Sequence, residues 1–474
     1  MSDTLVHLNG INALTGEPLV APMSLDDAER QARGESAPGW AGWLRKLAAR
    51  LVSRPFALPA EVSDPNDLAQ VGWGVVFAAD TPAEVRAALR PLLDRRAGQA
   101  GRLYKEFDHR PGEEREAWLG RHKVHGADVE PERVPYFLLL VGDPVSIPFE
   151  FQCLLDIDYV VGRLTFDPPE EYASYATAVV EYETAAAPPT AREVLYWGTR
   201  HPLDRATQLS ADKLVAPLNA AGANPGDPSV AAKYGFASRC LLAADATRTN
   251  LLEALHARSG PAPALLFTAS HGMGGWPKGD PRERTANGAL LCQDWPGVGP
   301  VKPEQYLTAA EVESDARLLG RVVFLFACYG AGTPRHDAFL KNPTGGPLEV
   351  AEAPFVSALA KRLLAGGALA VVGHVERAWG YSLADAKAGA QIQPFRNLMV
   401  RLLRGERVGQ ATLDFSRRYA TYSAELLTML DPSRPAAVKP AAAELVNRWV
   451  ERNDAQYYVV LGDPAARLRV EDTR

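Results

Sequence analysis

The chain has 474 residues, 47% hydrophobic and 23% charged, a balance that belongs to folded globular domains and excludes a disordered or fibrous chain. That length exceeds one ordinary hydrophobic core, so two or three domains are expected. Against 51 basic residues stand 57 acidic ones, a net charge of −6, and no long basic stripe offers a nucleic acid its phosphate contacts.

The densest basic stretch, 94–110, is interleaved with acids and reads as a solvated helix face. The first residues, "MSDTLVHLNGINALTG", lack the basic region and apolar run of a secretory signal. No apolar run approaches the roughly 18 residues of a membrane span. Cys153, Cys240, Cys292 and Cys328 show no paired spacing, and no Cys/His cluster suggests zinc or calls for another cofactor. These features predict a cytoplasmic protein with reduced thiols, and neither nucleic acid nor membrane as partner.

Apolar runs alternate with helical stretches almost throughout, predicting α/β architecture with largely parallel strands. "WGVVFAAD" (73–80) reads as a buried strand. The helix after it, 81–96, has Thr81 as N-cap, Pro82 at its first position and Glu84 closing a capping box. Strands follow at 136–144 and 159–167, then a helix at 169–183. "TAAAPPTARE" (184–193) is small, proline-bearing and aperiodic, and reads as a linker. The division expected is therefore 1–187, a structural or regulatory N-terminal subdomain, and 188–474.

A second α/β series begins with a strand at 194–198 and a helix at 209–222. A short strand at 238–243 precedes a helix at 250–258 capped by Asn250. Strands at 264–270 and 321–327 follow, then a helix at 354–367 and a strand at 368–373. "QYYVVLGDPAARLRV" (456–470) reads as a final strand and turn. Its "YYVVLGDP" echoes "YFLLLVGDP" (136–144), through either a duplicated unit or shared turn chemistry.

Two of these strands end alike. "LLFTASHGMGG" delivers His271 and Gly272, and "VFLFACYGAG" delivers Cys328 and Gly330. In parallel sheets the carboxyl ends of strands share one edge, where ligands bind. If the two strands are neighbours, His271 and Cys328 emerge side by side, separated by 328 − 271 = 57 residues. A free thiol, with a pKa of about 8.5, is mostly protonated at neutral pH, and an imidazole can draw off its proton. The amides of Gly272 and Cys328 could hold the oxyanion of a tetrahedral intermediate.

These segments resemble the caspase-like cysteine peptidases of clan CD, most closely the gingipain type. That family sets its histidine in His-Gly after one strand and its cysteine in Ala-Cys after another, as "SHGMG" and "FACYG" do here. Residues 354–382 resemble the gingipain helix, strand and tryptophan loop beside the specificity pocket. Residues 457–470 resemble that domain's closing strand, and 159–183 the segment before its catalytic subdomain. The resemblance runs over roughly 136–470. It implies a caspase-like, mostly parallel sheet flanked by helices, with a second N-terminal α/β subdomain. It also implies a cysteine endopeptidase with His271 as base and Cys328 as nucleophile, acting on a protein or peptide and open to autoprocessing or to activation by a partner or ligand.

Two departures stand out. Gingipains carry a glutamate on the loop after the subdomain's first strand, where this chain reads "GTRHPLD". The aspartate that binds a basic side chain in arginine-type gingipains has no clean match, although Asp204 and Asp212 lie close.

Other residues divide between function and packing. Trp379 matches the pocket tryptophan and could equally be core. Glu376 and Arg377 could select a charged side chain or pair with each other. His374 could rival His271 as base, but lacks the following glycine and reads better as pocket lining or packing. The stretches 275–288 and 333–346, the latter holding His336, read as loops over the site. "HGMGG" lacks the Gly-Lys-Ser/Thr of a phosphate loop. The competing function is a caspase-like regulatory module with a silent or conditionally exposed site.

Overall fold

The computed structural model describes residues 5–6, 10–33, 58–125, 128–222, 226–341, 346–378, 383–385, 389–431 and 440–470. Its centre is a ten-stranded sheet. In chain order the strands are β1 (Trp73–Ala78), β2 (Tyr104–His109), β3 (Phe137–Val141), β4 (Val160–Leu164), β5 (Thr190–Gly198), β6 (Ala237–Leu242), β7 (Ala262–Ala269), β8 (Val322–Phe326), β9 (Ala370–His374) and β10 (Tyr458–Gly462). Across the sheet they run β2-β1-β3-β4-β10-β9-β8-β7-β5-β6.

Every residue of β1, β3, β4, β7, β8, β9 and β10 is buried. Their sequences are accordingly continuous apolar runs rather than alternating ones, as strands covered by helices on both faces require. The two edge strands differ: β2 alternates and β6 is half-exposed.

The pairing is parallel within two blocks and antiparallel at one seam. β2, β1, β3, β4 and β10 are parallel to their neighbours in that order. So are β9, β8, β7, β5 and β6. Between the blocks, β10 and β9 pair antiparallel. The chain's last strand thus completes the first block, and the two Gly-Asp-Pro strands, β3 and β10, flank β4 on either side.

A buried charge network ties the seam. Asp463, fully buried after β10, accepts from Trp73 Nε1 at 3.0 Å and Arg96 Nε at 2.7 Å. Arg96 also pairs with Glu183 at 2.6 Å. The Asp463 amide donates to Tyr175 Oη at 2.6 Å, and that hydroxyl donates to the Leu369 carbonyl before β9 at 2.7 Å. The basic stretch at 94–110 is therefore not one solvated helix face. Its helix, Arg90–Ala100, ends at Gly101, β2 follows, and Arg96 is wholly buried against two carboxylates.

Other local expectations shift in register. Pro82, with φ −58 and ψ 149, takes the N-cap position ahead of the Ala83–Ala88 helix, and no side chain caps it. The helix then restarts as Arg90–Ala100 with Pro91 in its first turn, where a missing N–H is tolerated. Thr247 rather than Asn250 caps the Arg248–His256 helix, its hydroxyl accepting the Asn250 amide at 3.2 Å. An N-cap needs extended dihedrals, and Thr247 has them (φ −76, ψ 160). Phe355–Val356 pairs with Gly332–Thr333 instead of opening the next helix, which runs Ala358–Ala365. The strand expected at 194–198 starts at Thr190. No helix among the described residues is long and apolar enough to cross a membrane.

Candidate active site

The site grows out of one register. β8 pairs with β7 from Val322↔Leu265 to Phe326↔Ala269. That offset, 322 − 265 = 57, equals 328 − 271. His271 and Cys328 are therefore level with each other two residues beyond the ladder, at the carboxyl ends of neighbouring parallel strands. The Ser270 amide, donating to the Phe326 carbonyl at 3.1 Å, carries the pairing part of the way.

Past that point the chain turns sharply at Cys328. The Gly330 amide closes a turn onto the Ala327 carbonyl at 3.2 Å. Tyr329, inside the turn, has φ +58, a left-handed conformation that costs a bulky residue about 1–3 kcal/mol. Its amide is held by the Glu376 carbonyl at 2.9 Å and its ring is buried. The turn sets Cys328 past the end of its strand, where it is still fully buried. Facing it, Gly272 packs so closely that a Cβ there would lie 1.7 Å from the Cys328 carbonyl oxygen. Only glycine fits.

His271 is buried and held through both ring nitrogens. Nε2 lies 2.6 Å from Asp204 Oδ2, and Nδ1 lies 3.2 Å from the Gly10 amide nitrogen. An amide can only donate, so Nδ1 carries a lone pair and Nε2 carries the hydrogen given to Asp204. Asp204 in turn caps the Arg205–Ser210 helix, accepting from the amides of Ala206 at 3.1 Å and Thr207 at 3.2 Å. Burial works against its charge, but the His271 imidazole and the Thr207 hydroxyl and amide hold its carboxyl well below the usual carboxylate range.

Cys328 is completely buried. Burial pushes its thiol up to about 12, against the opposing charge of Arg377. Its Sγ donates weakly to the Ala378 carbonyl at 3.7 Å, as a protonated thiol does.

The remaining sequence candidates are placed as follows. Arg377 is buried, bonded to Asp337, and its Nε lies 3.5 Å from Glu376 Oε1. Of the two readings of Glu376 and Arg377, the structure shows them paired with each other. His374 is also fully buried: Nδ1 accepts the Glu376 amide at 3.2 Å and Nε2 donates to the Asp454 carbonyl at 3.0 Å. Trp379 lies outside the described residues. Asp212 forms an exposed pair with Arg200 at 2.9 Å. His336 opens a strand, His336–Lys341, paired with Pro347–Glu349, and the 275–288 stretch contains a short helix, Pro281–Ala286. Cys153 and Cys292 are buried and Cys240 half-buried, and burial raises all three thiols.

Two contacts of His271 are not legible as such in the sequence. Asp204 is expected there as a contact for substrate, whereas its carboxylate lies 2.6 Å from His271 Nε2. A visible signal existed: it follows β5, whose end emerges at the same sheet edge as His271. Gly10 carried no such signal, because its contact with His271 spans 261 positions.

No protein-family profile matches the chain, and no curated protein does. Among solved structures, it is similar to the complex of Porphyromonas gingivalis RgpB pro- and mature domains (12% identity, TM-score 0.45, covering 85% of this chain and 81% of that one). It is similar to a structure described only as a protease (14% identity, TM-score 0.48, covering 84% and 78%). It is also similar to the Saccharomyces cerevisiae separase in complex with securin (13% identity, TM-score 0.31, covering 69% of this chain and 16% of that one).

Proposed function

We propose that this protein is a cysteine endopeptidase in which Asp204, His271 and Cys328 act in sequence. The observation that carries the reading is the shared register of His271 and Cys328, with His271 oriented through Nε2 by a buried carboxylate. His271 Nδ1 takes the Cys328 proton, and the thiolate adds to the substrate carbonyl carbon. The amides of Gly272 and Cys328 serve the oxyanion. Collapse breaks the C–N bond, and the proton on Nδ1 leaves with the amine. Water then attacks the acyl-enzyme, giving its proton to Nδ1, and the thiol is restored as the acid departs. Asp204 keeps the Nε2–H tautomer and stabilises the imidazolium, as the acid of a catalytic triad does.

The test is hydrolysis of a randomised fluorogenic peptide library by the full chain and by its Cys328→Ala variant, in the presence and absence of agents that open the site. Cleavage by the parent that disappears in Cys328→Ala supports the reading. Cleavage that survives the substitution refutes it.

A second reading, a regulatory module on the same fold, is favoured by one observation: Cys328 is wholly buried with its thiol protonated. Labelling with a peptidyl acyloxymethyl ketone separates the two. Stoichiometric modification of Cys328 goes with the peptidase; no modification under any activating condition goes with the module. Under either reading the partner is a protein or peptide, joined for the peptidase by an activating partner or ligand. Residues 1–187 are proposed as the structural or regulatory part, and 188–474 as the catalytic domain.

A further inference from the structure

The chain's own N-terminal segment lies in the cleft. Residues 10–19 form a hairpin: the Leu19 amide donates to the Gly10 carbonyl at 2.9 Å, the Asn12 amide to the Glu17 carbonyl at 2.9 Å, and the Gly16 amide to the Asn12 carbonyl at 2.8 Å. The Asn12 side chain shapes the turn by accepting the amides of Leu14 and Thr15 at 2.9 and 3.3 Å. One arm, Ile11–Asn12, adds as a parallel strand to Met273–Gly274, immediately after His271 and Gly272.

Three contacts set this hairpin against the chemistry. The Gly10 N–H donates to His271 Nδ1, the lone pair that must take the thiol proton. The Gly10 α-carbon faces the nucleophile, so that a Cβ on it would lie 3.4 Å from Cys328 Sγ and 2.7 Å from Leu19 Cδ1. With φ +100 at this position, glycine is the residue that fits. Ile11 and Ala13 are buried in an apolar pocket with Met273, Ala289, Leu291 and Trp295.

The hairpin is also anchored. Val6 bridges Met23 across its base, and the helix Leu25–Arg33 that follows buries Ala28 and Ala32 against Leu445, Val446, Trp449 and Val450. A tether of this kind keeps the hairpin at a high effective concentration beside the site, while the contacts there are made by Gly10, Ile11, Ala13 and Leu19.

We propose that residues 10–19 are an internal, displaceable occupant of the catalytic cleft, which stays shut until an extended peptide or an activating partner takes the hairpin's place on the Met273–Gly274 edge. Such a ligand pairs as a strand with that edge and sets an apolar side chain where Ile11 sits. The inference rests on the proposed roles of His271 and Cys328, but its test does not require catalysis.

The test is the rate at which iodoacetamide alkylates Cys328 in the full chain, followed by peptide mass spectrometry with Cys153 and Cys292 as buried references. Ile11→Asp places a carboxylate in the apolar pocket and is expected to raise the Cys328 rate at least tenfold while the reference rates stay level. Leu19→Asp, on the other arm, serves if Ile11→Asp folds poorly and should act in the same direction. Unchanged alkylation in both Asp variants overturns the proposal. Faster alkylation without any peptide hydrolysis supports the occupant and counts against the peptidase alone.

Discussion

At the scale of single residues, the site turns on how one imidazole is held. The 2.6 Å contact between Asp204 and His271 Nε2 fixes which nitrogen carries the hydrogen and leaves the lone pair on Nδ1. Asp204→Asn keeps the shape but can present an amide hydrogen to Nε2, which favours the opposite tautomer. Measured in the Ile11→Asp background, where the cleft is open, the variant is expected to lower kcat by about 10²–10⁴, with a smaller effect on KM. An unchanged kcat would remove Asp204 from the catalytic machinery. The side-by-side placement of His271 and Cys328 is legible in the sequence because each stands two residues past an apolar strand, with a glycine at 272 and at 330. Asp204 was harder to read because an aspartate before a helix is also ordinary capping chemistry, and here it does both jobs. Arg377 was ambiguous for a related reason: a charge near a site serves substrate or structure depending on a partner, and Asp337 lies 40 positions away.

At the scale of elements, two strand ends and their turns must fit into each other. Gly272 lies against the Cys328 backbone with no room for a methyl group, and the atom in the way is a main-chain carbonyl that cannot swing aside. Gly272→Ala is therefore expected to force the 271–273 and 327–330 turns apart. Overpacking of this kind costs about 1–3 kcal/mol, read as a lowered denaturation midpoint, and should abolish peptide hydrolysis in the opened background. A variant with full activity would show that the two turns do not pack as described. The strands around this junction are legible in the sequence because both faces are covered, which leaves an unbroken apolar run. Helix starts are less legible. Thr81 and Asn250 fit the capping pattern by residue type, but the cap belongs to whichever residue has extended dihedrals, and those are set by how the preceding strand delivers the chain. The 94–110 stretch failed for another reason: Arg96 looks solvated by composition, and only the return of the chain at Asp463 supplies its buried partner.

At the scale of the whole molecule, ten strands in two opposed blocks share one sheet, and the seam is held by charge as well as by packing. Asp463 collects Trp73, Arg96 and, through its amide, Tyr175. Asp463→Ala leaves Arg96 buried beside Glu183 alone, and removing one member of such a network is strongly destabilising, by about 3–5 kcal/mol. Guanidinium unfolding of the variant should show a midpoint lowered accordingly; a shift within error would mean that the apolar contacts carry the seam by themselves.

The same fold also buries a carboxyl that works against it, and this gives the stability a pH dependence of definite sign. Asp156 follows the Phe149–Leu155 helix and is almost wholly buried. Burial pushes its carboxyl up to about 7, although the Ser416 hydroxyl at 2.7 Å and the Val161 amide at 2.9 Å both favour the charged form. In the unfolded chain an aspartate titrates near 3.9. Between those two values the native state holds a proton that the unfolded state has released, so stability falls as pH rises, by about 1.4 kcal/mol per unit. Above pH 7 the loss is complete. Asp204, whose carboxyl is held low, acts in the opposite sense: its contribution is present above the unfolded value and is lost only on acidification below it. The Asp156 effect can therefore be isolated in neutral solution. Asp156→Asn keeps the side chain's size and an acceptor but never ionises. Relative to the parent, it is expected to gain about 2–3 kcal/mol between pH 5 and pH 8, measured as denaturant midpoints across that range. Curves that run parallel over the window would show that Asp156 does not change its charge there. A gap that widens with rising pH would show that the native fold is working against a buried carboxylate at neutral pH.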